Sequence, residues 1–177
     1  GKPGSGKSRI AFDISETLKS DFGFLQCTEG MSEVHILGRR FPGEGYILSE
    51  FIRIFENGGI FLLDEIDAAD ANTLLVIQEE LANGRVSVPN RPEKPIAVQH
   101  PDAYIICGGN TFGHGATAQY TGRNALDAAT LDRFVGLILE IKYDEDLERD
   151  LGKQYGIEPL VPIFHQIRKN VEEARLE

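Results

Sequence analysis

The first eight residues, GKPGSGKS, hold three glycines, two lysines and a serine. Gly1, Gly4, Gly6, Lys7 and Ser8 fit the spacing G-x-x-x-x-G-K-[ST]. Glycines let a turn bring backbone N–H groups around phosphate oxygens with no Cβ in the way. The helix that follows points its positive end at the same anion. At this spacing Lys7 can reach the terminal phosphates of a nucleotide, and the Ser8 hydroxyl can ligate Mg2+. A second constellation lies in GGIFLLDEID, where Asp64 and Glu65 directly follow an apolar run. A carboxylate leaving a buried strand can hold the magnesium, directly or through water, which assigns Asp64 to the metal beside Ser8. Glu65 can polarise an attacking water as general base. A glycine turn alone, or two acids alone, would also suit a solvent-facing loop and strand end. Together they point to a bound triphosphate.

These groups need elements to position them. Ile10, Ala11, Ile14 and Leu18 recur at helical spacing over Lys7–Ser20. FGFLQC reads as a short buried strand, and residues 29–48, rich in Gly, Pro and charge, read as loop. LSEFIRIFENGG reads as a helix stopped by its glycines, and IFLLDE as a central parallel strand. Asp70 can cap a helix running through Leu74, Ile77 and Leu81 to Asn83-Gly84, while Asp67 is left to the loop. RVSVPNRPEKPIAV has β-type alternation on both sides of a polar turn and predicts a hairpin. AYIIC is a further buried strand, followed by the glycine-rich GGNTFGHG. A short helix near Ala125–Leu131, a last strand FVGLILEI, and helices at Asp144–Gln154 and Leu160–Arg175 complete the chain. Alternating helices and apolar strands predict an α/β fold with a mostly parallel sheet.

The 177 residues suit one domain with a real core, and a hydrophobic fraction of 41% fits a globular protein. Eighteen basic against 28 acidic side chains give a net charge of −10. That balance works against non-specific attraction to nucleic acid, which depends on neutralising phosphates. No apolar run approaches the roughly 18 residues of a membrane span, and no signal-peptide pattern is present. Cys27 and Cys107 lie far apart in apolar stretches and read as reduced, buried thiols, so a cytoplasmic location is expected. The four histidines, at 35, 100, 114 and 165, lack ligand-like spacing.

The cradle, the acidic strand end, CGGNTFGHG and NALDAATLDRF, in that order, resemble an AAA+ ATPase over nearly the whole chain. Within that superfamily the chain is most similar to the MoxR-like group and its CobS-type ATPases. The resemblance implies a three-layer αβα P-loop core at 1–143, a β-hairpin insertion, and the start of a helical lid at 144–177. It implies ATP and Mg2+ as ligands, held by Gly1, Pro3, Gly4, Ser5, Gly6, Lys7, Ser8, Arg9 and Asp64. Asn110 matches the polar sensor that orients the attacking water, although a turn residue would also fit there. Arg133 of LDRF falls at the position of an arginine finger that reaches the neighbouring subunit's nucleotide; a surface ion pair with Asp132 or Glu140 is the plainer alternative. Arg123 in YTGRN is a second candidate for a subunit-boundary contact. The hairpin around Asn90–Lys94, with Arg85, Arg91 and Lys94, and the segment RRFPGEGY correspond to loops that often face a central pore, though a charged turn can equally be a solvated tip.

Two parts of the family pattern have no counterpart here. The apolar strand that precedes the cradle, and most of the lid with its nucleotide-contacting arginine, are expected to lie outside these residues. The resemblance implies a ring, expected to be a hexamer, that remodels or activates a partner protein, in some relatives one carrying a von Willebrand factor A domain. A nucleic-acid motor or loader of the phage or McrB type, and a non-hydrolysing ATP-bound scaffold, are the competing readings.

Overall fold

The computed structural model describes residues 4–43, 45–111, 113–116, 121–126, 128, 131–132 and 138–174. The chain divides into two compact units, one running to Ile141 and one from Lys142 onward. In the first unit, helix α1 (Lys7–Leu18) leads to strand β1 (Phe22–Gln26), and strand β4 (Gly59–Asp64) and strand β7 (Ala103–Cys107) complete a parallel sheet in the order β1-β4-β7. The continuous apolar run Gly59–Leu63 explains why β4 is central, since every one of its residues before Asp64 is buried. Register sets Asp64 beside Gln26 and Leu63 beside Cys107, so the carboxyl ends of all three strands lie together.

Helix α3 (Glu50–Asn57) supplies the main packing against the sheet. Ser49 caps it by accepting from the Ile52 N–H at 3.1 Å, and Gly58 ends it. Its Phe51, Ile54 and Phe55 are fully buried, and the Phe51 ring meets Phe61 of β4 edge-on at 5.3 Å. Truncating a buried aromatic of this kind to alanine typically costs about 3–5 kcal/mol. Helix α4 (Ala71–Asn83) follows the acidic strand end. Asp70 starts it by accepting from the Asn72 N–H at 2.9 Å, and Leu74 and Ile77 are buried.

The segment expected as loop at 29–48 is more regular than its composition suggested. It contains a short helix α2 (Glu33–Leu37) and an antiparallel hairpin of β2 (Arg39–Phe41) and β3 (Gly45–Ile47). Local tethers explain the order: the Tyr46 hydroxyl donates to the Leu37 carbonyl, and the Ser49 hydroxyl donates to that of Ile36. Strands β5 (Arg85–Ser87) and β6 (Ile96–Val98) form the expected antiparallel hairpin. Its basic turn is exposed at Asn90 and at residues 92–95 but is tied inward through Arg91. Arg91 is only 8% exposed and donates to both carboxylate oxygens of Glu56 on α3, at 2.7 and 2.9 Å, while Lys94 lies 2.8 Å from the same carboxylate. Of the last expected strand, residues 134–137 lie outside the described residues, and Ile138–Ile141 are not in a strand.

In the second unit, helix α5 (Glu145–Gln154) is capped by Asp144, which accepts from the Asp146 and Leu147 N–H groups. Helix α6 (Val161–Ala174) is tied to it through Glu148, which receives His165 Nε2 at 2.7 Å and both arms of Arg168. Among the described residues no helix is long and apolar enough to cross a membrane.

Candidate functional site

The cradle is built from backbone. Gly4 and Gly6 have φ of 72° and 83°, the left-handed region that side-chain-bearing residues avoid, which is the reason for glycine at both positions. Gly6 is the N-cap of α1 and brings no side-chain cap, so the first-turn amides face the loop with the helix's positive end behind them. Gly1 and Pro3 lie outside the described residues. Ser5 is half-buried within the loop. Arg9 turns away along the helix surface and pairs with Asp13 at 2.8 Å.

Lys7 and Ser8, the first two residues of α1, each meet a group from the ends of the sheet strands. Lys7 Nζ donates to Asn110 Oδ1 at 3.0 Å, three residues beyond the end of β7. The Ser8 hydroxyl donates to Asp64 Oδ2 at the end of β4. The other Asp64 oxygen accepts the Glu65 N–H at 3.0 Å. Space around this carboxylate is tight: a Cβ on Gly108 would stand 2.6 Å from Asp64 Oδ1, so any larger residue there would push the carboxylate from its place. A hydroxyl and a carboxylate converging on one point are hard oxygen donors. They fit Mg2+, which takes one or two carboxylates and completes its shell with phosphate oxygens and water. Among the described residues no cluster of three His, Cys, Asp or Glu side chains offers an all-protein metal cage.

Glu65 sits at φ 54°, an uncommon conformation for a residue with a side chain. Its carboxylate pairs with Arg123 Nη2 at 3.1 Å. Asp67, fully buried, organises the rest. Its Oδ2 accepts from the Asn110 N–H and the Thr111 N–H, both at 2.9 Å, and from the Thr111 hydroxyl at 2.8 Å. Its Oδ1 has no hydrogen-bond partner but lies 3.8 Å from Arg123 Nη1, a charge contact beyond hydrogen-bond range. The sequence left Asp67 to the loop; the structure makes it the group that fixes the backbone of Asn110. The signal available was the acid three residues after Asp64, in chain with a polar Asn-Thr after the next strand. Arg123, expected at a subunit boundary, turns inward onto Glu65 and Asp67 of its own chain. Arg133 lies outside the described residues.

The crowding of acids has an electrostatic signature. Burial, and then the charges of Asp64, Asp67 and Glu65, push the Cys27 thiol up to about 12. This concentration of negative charge is what a divalent cation arriving with a nucleotide would offset.

A glycine cradle before a helix, a lysine and serine at the helix start, and an Asp-Glu pair leaving the central parallel strand define a P-loop ATPase domain. The profile of the AAA domain (dynein-related subfamily) matches residues 1–134, and the chain belongs to that AAA+ family. A solved structure from Cytophaga hutchinsonii, described as a "putative ATPase", is similar in fold at a TM-score of 0.67 with 17% identity, covering 88% of this chain. The chain spans 44% of the length of that structure. No curated protein sequence matches the chain significantly.

Proposed function

We propose that the chain is the nucleotide-hydrolysing part of a Mg2+-dependent AAA+ ATPase of the MoxR or CobS type, which forms a ring and uses ATP to remodel or activate a partner protein. The observation that carries this reading is the pairing of Lys7 with Asn110 and of Ser8 with Asp64, which brings the cradle and the sheet edge to one point. Lys7 and the amides of the Gly4–Gly6 turn hold the β- and γ-phosphates. Mg2+, held by Ser8 and Asp64 together with the phosphates, neutralises charge on the oxygens when bound. Glu65 takes a proton from water as the water oxygen bonds to the γ-phosphorus; the bond to the bridging oxygen breaks, and ADP and phosphate leave. The Asn110 amide orients that water. Arg133 supplies positive charge to the neighbouring subunit's site, and hydrolysis then releases what finger and sensor held. The segment at 144–177 is the beginning of the lid. A cytoplasmic setting, and a partner with a von Willebrand factor A domain, rest on the resemblance.

A nucleic-acid motor would need the basic hairpin as its contact surface. Arg91 is buried against Glu56 within the chain and so withheld from such a surface, and Lys94 shares the same carboxylate, which works against that reading. A pure scaffold has no use for a base at Glu65. Glu65→Gln separates these: nucleotide affinity should change less than about 3-fold while kcat falls at least about 100-fold. Turnover equal to the unsubstituted protein would remove Glu65 as base. Mixing Glu65→Gln with Arg133→Ala subunits should restore activity at mixed interfaces, and no gain would count against a finger acting between subunits.

A further inference from the structure

We propose that Arg123 is a positioning residue for hydrolysis, a fork between Asp67 and Glu65 that holds the Glu65 carboxylate in register with Asn110; the inference rests on Glu65 being the base. The Arg123 side chain is 15% exposed, and its guanidinium places one arm 3.1 Å from Glu65 Oε1 and the other 3.8 Å from Asp67 Oδ1. Asp67 is the common anchor. Its second oxygen holds the Asn110 and Thr111 amides at 2.9 Å, so one buried carboxylate hydrogen-bonds the sensor backbone and faces, through a charge contact, the arginine that grips the base. The Glu65 backbone is fixed from the other side, with its φ of 54° held between the end of β4 and a 3-10 turn at Ile66–Ala68. Arg123 therefore sets the far end of a side chain whose near end is already determined.

The loop that carries Arg123 does not need this side chain to stay in place. Asn124 donates its N–H to the Asp67 carbonyl at 2.8 Å and its side-chain amide to the Ala69 carbonyl at 2.9 Å. The Leu126 N–H donates to Gly113 at 2.9 Å, and Ala125 bridges to His114. With the backbone tethered independently, the reach of the guanidinium to Glu65 has a purpose beyond loop anchoring. A lysine has the charge but no fork, and one ammonium cannot serve both carboxylates as Arg does.

The test is steady-state ATP hydrolysis by Arg123→Ala, Arg123→Lys and the double variant Asp67→Asn/Arg123→Ala, each in the full-length protein. The Arg123→Ala change should lower kcat about 30-fold with KM for ATP moving less than about 3-fold, because the fork acts on the base and not on the nucleotide. Arg123→Lys should recover part of that loss, and added guanidinium, well below unfolding concentrations, should raise kcat of Arg123→Ala. The double variant removes the uncompensated buried charge and so keeps the test open if Arg123→Ala folds poorly; its kcat should stay low. A double variant restored to full kcat would overturn the inference, since Arg123 would then only neutralise Asp67. So would a full kcat in Arg123→Ala, or activity regained on mixing Arg123→Ala with Glu65→Gln subunits, which would place the arginine's action across a subunit boundary. Glu65→Gln assayed alongside separates the two layers: a dead Glu65→Gln beside a fully active Arg123→Ala sinks only the fork, whereas an active Glu65→Gln sinks the base itself.

Discussion

Lys7 Nζ donates to Asn110 Oδ1 at 3.0 Å although 103 positions separate the two residues. One belongs to the start of a helix and the other follows a sheet strand, so only the fold brings them together. In our account the lysine grips the triphosphate and the amide steers the attacking water, and their failures should differ. Lys7→Ala should weaken nucleotide binding at least about 10-fold, because it removes a charge-assisted contact to phosphate. Asn110→Ala should leave Kd nearly unchanged and lower kcat by about 100-fold, the scale for losing one oriented polar group at a hydrolytic centre. Titration with a fluorescent ATP analogue beside a phosphate-release assay reads both; a Kd loss in Asn110→Ala matching that of Lys7→Ala would merge the roles.

The contact between Ser8 and Asp64 predicts a metal phenotype. Asp64→Asn should raise the Mg2+ concentration for half-maximal hydrolysis by about 10-fold while leaving the fold intact, because it removes charge from the ligand and keeps its shape. An unchanged Mg2+ requirement would place the cation elsewhere.

The anchor of the hairpin makes a pH prediction. Burial alone would raise the Glu56 carboxyl, but hydrogen bonds and charge from Arg91 and Lys94 outweigh it and hold the group below its ordinary value of 4.5. The depressed folded value means that the carboxylate stabilises the fold above pH 4.5, and that this is lost as pH falls through the folded value. Glu56→Gln should therefore cost about 2–4 kcal/mol at pH 7, because Arg91 is left buried without its counter-charge. Urea unfolding should show the difference from the unsubstituted protein shrinking in acid. A gap independent of pH would mean that packing, not charge, holds the turn.

Cys27 reports on the acids around it. With Cys107→Ser removing the other thiol, the native protein should resist alkylation at pH 8, because burial and the three nearby carboxylates keep Cys27 protonated. Unfolding in urea should release one reactive thiol. Rapid labelling of the native protein would mean that Cys27 is neither buried nor held protonated by the surrounding acids.

What the sequence disclosed, and what it did not, follows from the range of the interactions. The apolar run of β4, the helical spacing of α1, the glycines that stop α3 and the Asp70 cap are local signals, and each produced the element expected of it. Residues 29–48 read as loop because the tethers that order them, such as Tyr46 to Leu37, depend on side chains whose partners composition does not name. Arg91 looked like a free charge because its counter-ion, Glu56, lies 35 positions away on α3. The same limit hid Asp67 and Arg123: the spacing of Asp64 and Glu65 was visible, but the carboxylate that fixes Asn110 is coupled to it over 43 positions. Motifs named the groups that contact a nucleotide, and the fold was needed to find the groups that hold those in place.

The central claim is that the cradle and the end of β4 enclose one triphosphate. Its most direct test is a structure of the protein with Mg2+ and a non-hydrolysable ATP analogue. The account predicts a terminal phosphate within about 3 Å of Lys7 Nζ, with the cation between Ser8 and Asp64 and the Lys7–Asn110 hydrogen bond opened to admit it. An analogue bound with its phosphates away from Lys7, or a cation away from Asp64, would contradict it.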